Sequence, residues 1–149
     1  MNRVLDSLRR FQTAQADAAR RACDALGVPE AGLDALRELL ADGREDGLGM
    51  KDLSAAVGIS PAVATGVVDR LEARGWAERR IDPADRRALI VVGTVPADSP
   101  VRAVIRDLDE PLRRVANALP ERDAQVVRLL AGAIEDALDR FRPVAVAAG

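Results

Sequence analysis

"LGMKDLSAAVGISPAVATGVVDRLEARGWAERRIDPADRRALIVVGT", residues 48–94, decides the fold. It holds two short helical patterns separated by Gly58. The first spans about Met50 to Val57 with Leu53 and Val57 inward. The second opens at Ser60-Pro61, where serine suits a helix N-cap and proline the first helical position. Its Ala64, Val67, Val68 and Leu71 make an inner face, and Gly75 is placed to stop it. Helix, tight glycine turn, helix is the helix-turn-helix arrangement. Trp76–Ile81 and Ala88–Gly93 then read as two strands joined through Asp82-Pro83-Ala84-Asp85, a composition that predicts a hairpin. A helix-turn-helix followed at once by a charged hairpin is a winged helix. Such a second helix enters a DNA major groove, while the hairpin lies over the neighbouring backbone with its tip near the minor groove. Arginines suit that tip, because guanidinium groups fork onto phosphate oxygens and favour a narrow minor groove. Asp85, two residues before Arg87, is expected to orient it.

Outward from this stretch the patterns are helical. Val4, Leu8, Phe11, Ala18 and Ala22 predict a long amphipathic first helix ending near Gly27. Pro29 suits the first turn of a second helix, with Leu33, Leu36 and Leu40 in one stripe and Gly43 at its end. The segment "DGREDGLGM", residues 42–50, reads as a loop. Ser99-Pro100 opens another helix with Val101, Val104, Ile105, Leu108, Leu112 and Val115 inward, and Pro111 is expected to kink it. A last helix from about Pro120 carries Val126, Val127, Leu130, Ile134, Leu138 and Phe141. "PVAVAAG", residues 143–149, reads as a loose tail.

Length and composition agree with one domain. At 149 residues the chain is long enough for one real core and short for two. Nearly half is apolar but only Phe11, Trp76 and Phe141 are aromatic, so Leu, Val and Ala fill the interior and favour helix packing. The formal charge of −2 does not itself point to a polyanion partner. Residues 50–94 carry +1 and the remainder −3, and the local excess sits at the hairpin. Met1–Arg10 mixes charges with Val4, Leu5 and Leu8 unlike a signal peptide, and no apolar run approaches the roughly 18 residues of a membrane span. The expectation is a cytoplasmic protein with no membrane partner. The lone Cys23 agrees with a reducing compartment. With no histidine and one cysteine the chain is poor in transition-metal ligands, and it lacks a Walker sequence, a glycine-rich phosphate loop and a Cys–His pair. Neither enzyme activity, nor a metal, nor a cofactor is expected.

Residues 48–94 resemble the DNA-binding core of the MarR family of bacterial transcription regulators, most closely in "VVDRLEARGW" (67–76), "ERR" (78–80) and "DPADRR" (82–87). The order of helices on both sides also fits. The resemblance implies a mainly α fold with a small β-hairpin wing: a winged helix-turn-helix lobe at 31–94 within one domain, 1–149, and dimerisation helices at 1–26 and 99–142. It implies a homodimer on double-stranded DNA with a pseudo-palindromic operator, released by a small-molecule effector and acting as a repressor. The apolar stripes of both terminal helices exceed what one small lobe covers, and this independently suggests a dimer through Val4, Leu8, Phe11, Leu130, Ile134, Leu138 and Phe141.

Ser60, Pro61, Ala62, Val63 and Thr65 fall at the family's groove-facing positions, and Asp85 and Arg87 match the Asp-x-Arg of its wing. Gly66, Arg70, Arg80 and Arg86 complete the expected DNA-binding set. Gly66 stands where family members often have a basic or polar side chain, and Val63 where a polar one is frequent. The outer face of this helix therefore reads as small and apolar, suited to thymine methyl groups, with Thr65 and Ser60 supplying hydrogen bonds and nothing to fork onto guanine. Specificity is then expected to lean on the wing and on DNA shape. Arg87→Ala is expected to flatten the salt dependence of binding by about one unit.

Blander readings stand beside these. Arg79, Arg80, Arg86 and Arg87 also suit a solvated hairpin edge, although the helices before them favour DNA. Arg74 reads as structural, and Arg70 either pairs with acids nearby or reaches phosphate. Trp76 reads as a core plug. Cys23 reads as a small helical residue in preference to a peroxide sensor. The competing function is a winged-helix protein-interaction module without specific DNA binding.

Overall fold

The computed structural model describes residues 2–143. Along them run α1 (Arg3–Leu26), α2 (Glu30–Leu40), β1 (Leu48–Gly49), α3 (Met50–Val57), α4 (Pro61–Ala73), β2 (Ala77–Ile81), β3 (Leu89–Gly93), α5 (Pro100–Ala118) and α6 (Glu121–Asp139). Contacts divide the chain into two compact units, Met1–Asp109 and Glu110–Gly149. The expected tail lies, from residue 144 on, outside the described residues.

Local chemistry sets most boundaries in the first unit. The Asn2 side chain accepts hydrogen bonds from the N–H groups of Val4 and Leu5, and α1 ends on Gly27 at φ 64°. The N–H of Val63 donates to Ser60 Oγ at 3.3 Å, with Pro61 opening α4. Past its end, the N–H groups of Gly75 and Trp76 return to the carbonyls of Glu72 and Leu71, each at 2.9 Å.

The core lies where α2, α3, α4 and β3 meet. Leu33, Leu36, Leu53, Val68, Leu71 and Val91 are its largest fully buried side chains. Each contributes about 1.5–3 kcal/mol of hydrophobic stabilisation. Trp76 packs half-buried against this cluster, as a plug.

Several elements differ from expectation. The supposed loop contains β1, so the hairpin is part of a three-stranded antiparallel sheet, ordered β1-β3-β2. Leu48 pairs with Val91 and Gly49 with Ile90. Two residues carry no periodicity, and only the partner strand makes them a strand. Helix α2 begins after Pro29 and stops at Leu40, short of Gly43, because Ala41 turns extended. There Arg102 of α5 donates to the carbonyls of Leu40 and Val95. The buried stripe of α2 is Leu33, Leu36 and Leu39, with Leu40 only partly covered. Helix α5 runs from Pro100 to Ala118 with Pro111 inside it, as expected, but its apolar stripe is only partly covered. Ile105 is buried and Val101, Val104 and Leu108 pack on the core, but Leu112 and Val115 are exposed.

In the second unit, α6 buries none of its residues. Val126, Val127, Leu130, Leu138 and Phe141 are exposed, and Ile134 is half-covered. At the other end of the chain Val4 and Phe11 are exposed and Leu8 is half-covered. The apolar stripes read from the sequence are present, and among the described residues most of their side chains are exposed.

Candidate nucleic-acid interface

Helix α4 buries Ala64, Val67, Val68 and Leu71. At ~100° per residue this turns Ala62, Thr65, Gly66, Asp69 and Arg70 outward. Ser60, Pro61 and Val63 are exposed at its N-terminal end. The expected groove-facing residues thus form one surface.

Its two hydroxyl groups are engaged. Thr65 Oγ1 donates to the Pro61 carbonyl at 3.0 Å, and Ser60 Oγ accepts from Val63. The expectation that both supply hydrogen bonds to bases therefore changes: helix geometry uses the Thr65 donor, leaving its methyl to face outward, and capping uses a Ser60 lone pair.

Four guanidinium groups do not crowd the hairpin tip. Register places Arg79 opposite Val91 and Arg80 opposite Ile90. Strand alternation turns Arg79 to the same side as buried Ala77, toward α4. There it pairs with Glu72 and, at 2.8 Å, with Asp69. This clamp fixes the wing to the outer edge of α4 and neutralises its carboxylates. Arg80 pairs with Glu78 at 3.0 Å, both exposed.

Two aspartates shape the tip. Asp82 accepts from the N–H of Ala84 at 2.8 Å, and Asp85 from that of Arg87 at 3.0 Å. Asp85 thus holds the backbone of Arg87 rather than orienting its guanidinium, because the short side chain closes a local turn first. Among the described residues no carboxylate pairs with Arg70, Arg86 or Arg87. All three are exposed.

The remaining arginines hold the lobe together. Arg74 donates to the carbonyls of Leu26 and Gly27 at 2.7 and 2.6 Å, closing the open end of α1, and lies 4.9 Å from the Trp76 ring centroid. Its structural reading stands. Arg37 on α2 meets Asp109 on α5 at 2.5 Å, with both side chains about one third exposed. Arg37, Arg102 and Asp109 escaped the sequence reading, since nothing local marks partners 72 or 62 positions away. Beside the Arg37–Asp109 pair a cavity opens, lined also by Asp34, Glu38, Ala56 and Val57. Burial pushes the Asp34 carboxyl upward, and Glu30 and Glu38 add to this against the opposing pull of Arg37.

Cys23 is half-buried on α1. Burial raises its thiol pKa, and Glu30, Asp34 and Asp24 raise it further. A reactive thiolate needs the opposite surroundings. Iodoacetamide should therefore alkylate the folded chain more slowly than the urea-unfolded chain at pH 8, with the folded rate climbing through pH 9. Equal rates would show that these surroundings do not suppress the thiol.

Lobe, exposed second helix and clamped hairpin define a winged helix-turn-helix protein. Residues 39–89 match the model of the MarR family. Over 88 residues it is 26% identical to the uncharacterized HTH-type transcriptional regulator YcgE of Bacillus subtilis (strain 168). That match covers 59% of this chain and 57% of the relative. Among solved structures, transcriptional regulator Tm0710 from Thermotoga maritima is 25% identical, with a TM-score of 0.59 over 93% of this chain and 98% of that one. The S. aureus MepR–DNA complex shares the fold at 18% identity, with a TM-score of 0.55 over 87% and 96% of the two chains. Among the described residues no helix is long and apolar enough to cross a membrane.

Proposed function

We propose that the protein is a transcription regulator that binds double-stranded DNA as a homodimer, with α4 in the major groove and the β2–β3 tip on the backbone beside it. The observation that carries this reading is the pairing of Arg86 and Arg87, free of carboxylates, with a wing that Arg79 clamps to α4. Groove-facing Ser60, Pro61, Ala62, Val63, Thr65 and Gly66 and wing residues Arg80, Asp85, Arg86 and Arg87 make up the site, with Arg70 at its edge. The uncovered apolar faces of α1 and α6 support a second copy of the chain as their cover. In this reading residues 31–94 form the DNA-binding lobe, and 1–26 with 99–142 the dimerisation helices.

The finer reading is a repressor released by a small molecule. The Arg37–Asp109 pair ties α5 to the lobe beside an open cavity. A ligand that took either partner would loosen that tie and change the spacing of two lobes set about 34–36 Å apart on DNA.

Binding to the duplex immediately upstream of the chain's own gene, followed by fluorescence anisotropy across a salt series, tests the DNA reading. Two tip arginines in each protomer predict a slope of log affinity on log salt of about −3.6 or steeper. The uncharged face of α4 favours one rival, docking of another protein. A shallow slope with no DNA preference would decide for it.

A further inference from the structure

Gly66 is in the middle of α4, where glycine costs roughly 0.5–1 kcal/mol relative to alanine. The fold does not ask for it. A Cβ there would meet only the end of the Arg70 side chain, Nη2 at 3.8 Å, in ordinary contact. Arg70, one turn later, folds its guanidinium back over the bare backbone at Gly66. Glycine leaves that place open, and a longer side chain would fill it.

The other polar groups of this face are each engaged at least in part, and what remains to them is a hydroxyl O–H on Ser60 and hydroxyl lone pairs on Ser60 and Thr65. The Thr65 hydroxyl donates to the Pro61 carbonyl, Ser60 Oγ caps the helix, and Asp69 is paired with Arg79. Ala62, Val63 and Pro61 have no side-chain donors. Arg70 has no carboxylate partner among the described residues, so its guanidinium is the charged group on the outer face of α4 left without an ionic partner. A planar fork of donors matches the O6 and N7 acceptors of guanine.

We infer that Arg70, laid over Gly66, reads a guanine in each half-site, while Ala62, Val63 and the Thr65 methyl contact the bases around it. This rests on the DNA-binding reading and names the chemistry of its recognition. It departs from the sequence-based expectation that nothing on this helix forks onto guanine, since only the side-chain path brings Arg70 up to Gly66.

The test is selection of sites from a random duplex library, then affinities of the wild type, Arg70→Ala and Gly66→Leu for the selected site and its single-pair variants. The wild type should select one fixed G·C pair per half-site. Arg70→Ala should lose roughly 5- to 150-fold of discrimination at that pair alone, the worth of one bidentate contact, with the salt slope unchanged. Gly66→Leu keeps the charge but fills the space under the guanidinium, and should relax the same position. If Arg70→Ala instead weakened every variant equally and flattened the slope, the residue would be a phosphate contact and the inference wrong. Selection of sites whose G·C preference both variants leave intact would also overturn it while sparing the DNA reading. Failure to enrich any sequence would overturn both.

Discussion

The double replacement Arg86→Ala with Arg87→Ala is expected to weaken DNA binding by roughly 100- to 1,000-fold near physiological salt. In the proposed dimer these two residues occur twice, so four charge-assisted contacts would disappear. Each is worth about 1.5–3 kcal/mol when desolvated, and salt screening at an exposed tip brings it to about 0.7–1 kcal/mol. Four lost phosphate contacts should also flatten the slope of log affinity on log salt by about 3.6. Arg87→Ala alone should flatten it by about one for each protomer. Folding should not change beyond about 0.5 kcal/mol, since neither side chain is buried or paired with an acid. Anisotropy titrations at several salt concentrations, with thermal midpoints measured alongside, separate the two effects. An unchanged slope would remove the wing from the interface.

The largest effect on stability is expected at Gly47→Ala. Gly47 has φ +83°, in the left-handed region, which costs a residue with a Cβ about 1–2 kcal/mol. Its added Cβ would also approach the Val91 carbonyl oxygen to 2.6 Å and Val92 Cγ2 to 2.9 Å. The oxygen belongs to the central strand and cannot swing aside like a side chain end. Relief requires β1 to move off β3, for a combined loss of about 3–5 kcal/mol. Urea denaturation followed by circular dichroism should show the fall in midpoint. Gly43→Ala is the control, because Gly43 also has positive φ but a Cβ there meets nothing within 4 Å. It should lose only the backbone cost. Equal losses at the two sites would show that the contact with Val91 does not matter.

The two positions illustrate which features of the chain can be read locally. Both glycines stand in the same charged loop, and nothing in its composition separates them. The difference comes from β3, more than forty residues later, whose backbone passes close to Gly47 and not to Gly43. Leu48–Gly49 became a strand for the same reason.

By itself the sequence determined the features whose cause lies within a few residues. Ser60 and Pro61 start α4, Gly27 and Gly58 end α1 and α3, and helical period puts Val67, Val68 and Leu71 inside. Asp82 and Asp85 close the wing tip through their own neighbours. These suffice for a winged helix and for most of its candidate interface, because capping, periodicity and turn chemistry act within a few residues. Arg74 was legible as structural, but only the tertiary structure decided how the other arginines divide. Arg37, Arg74, Arg79 and Arg102 bind the lobe together, while Arg70, Arg86 and Arg87 keep no acidic partner among the described residues. A guanidinium has the same charge in either role. What distinguishes the two is the carbonyl or carboxylate that folding brings to it, often from far along the chain.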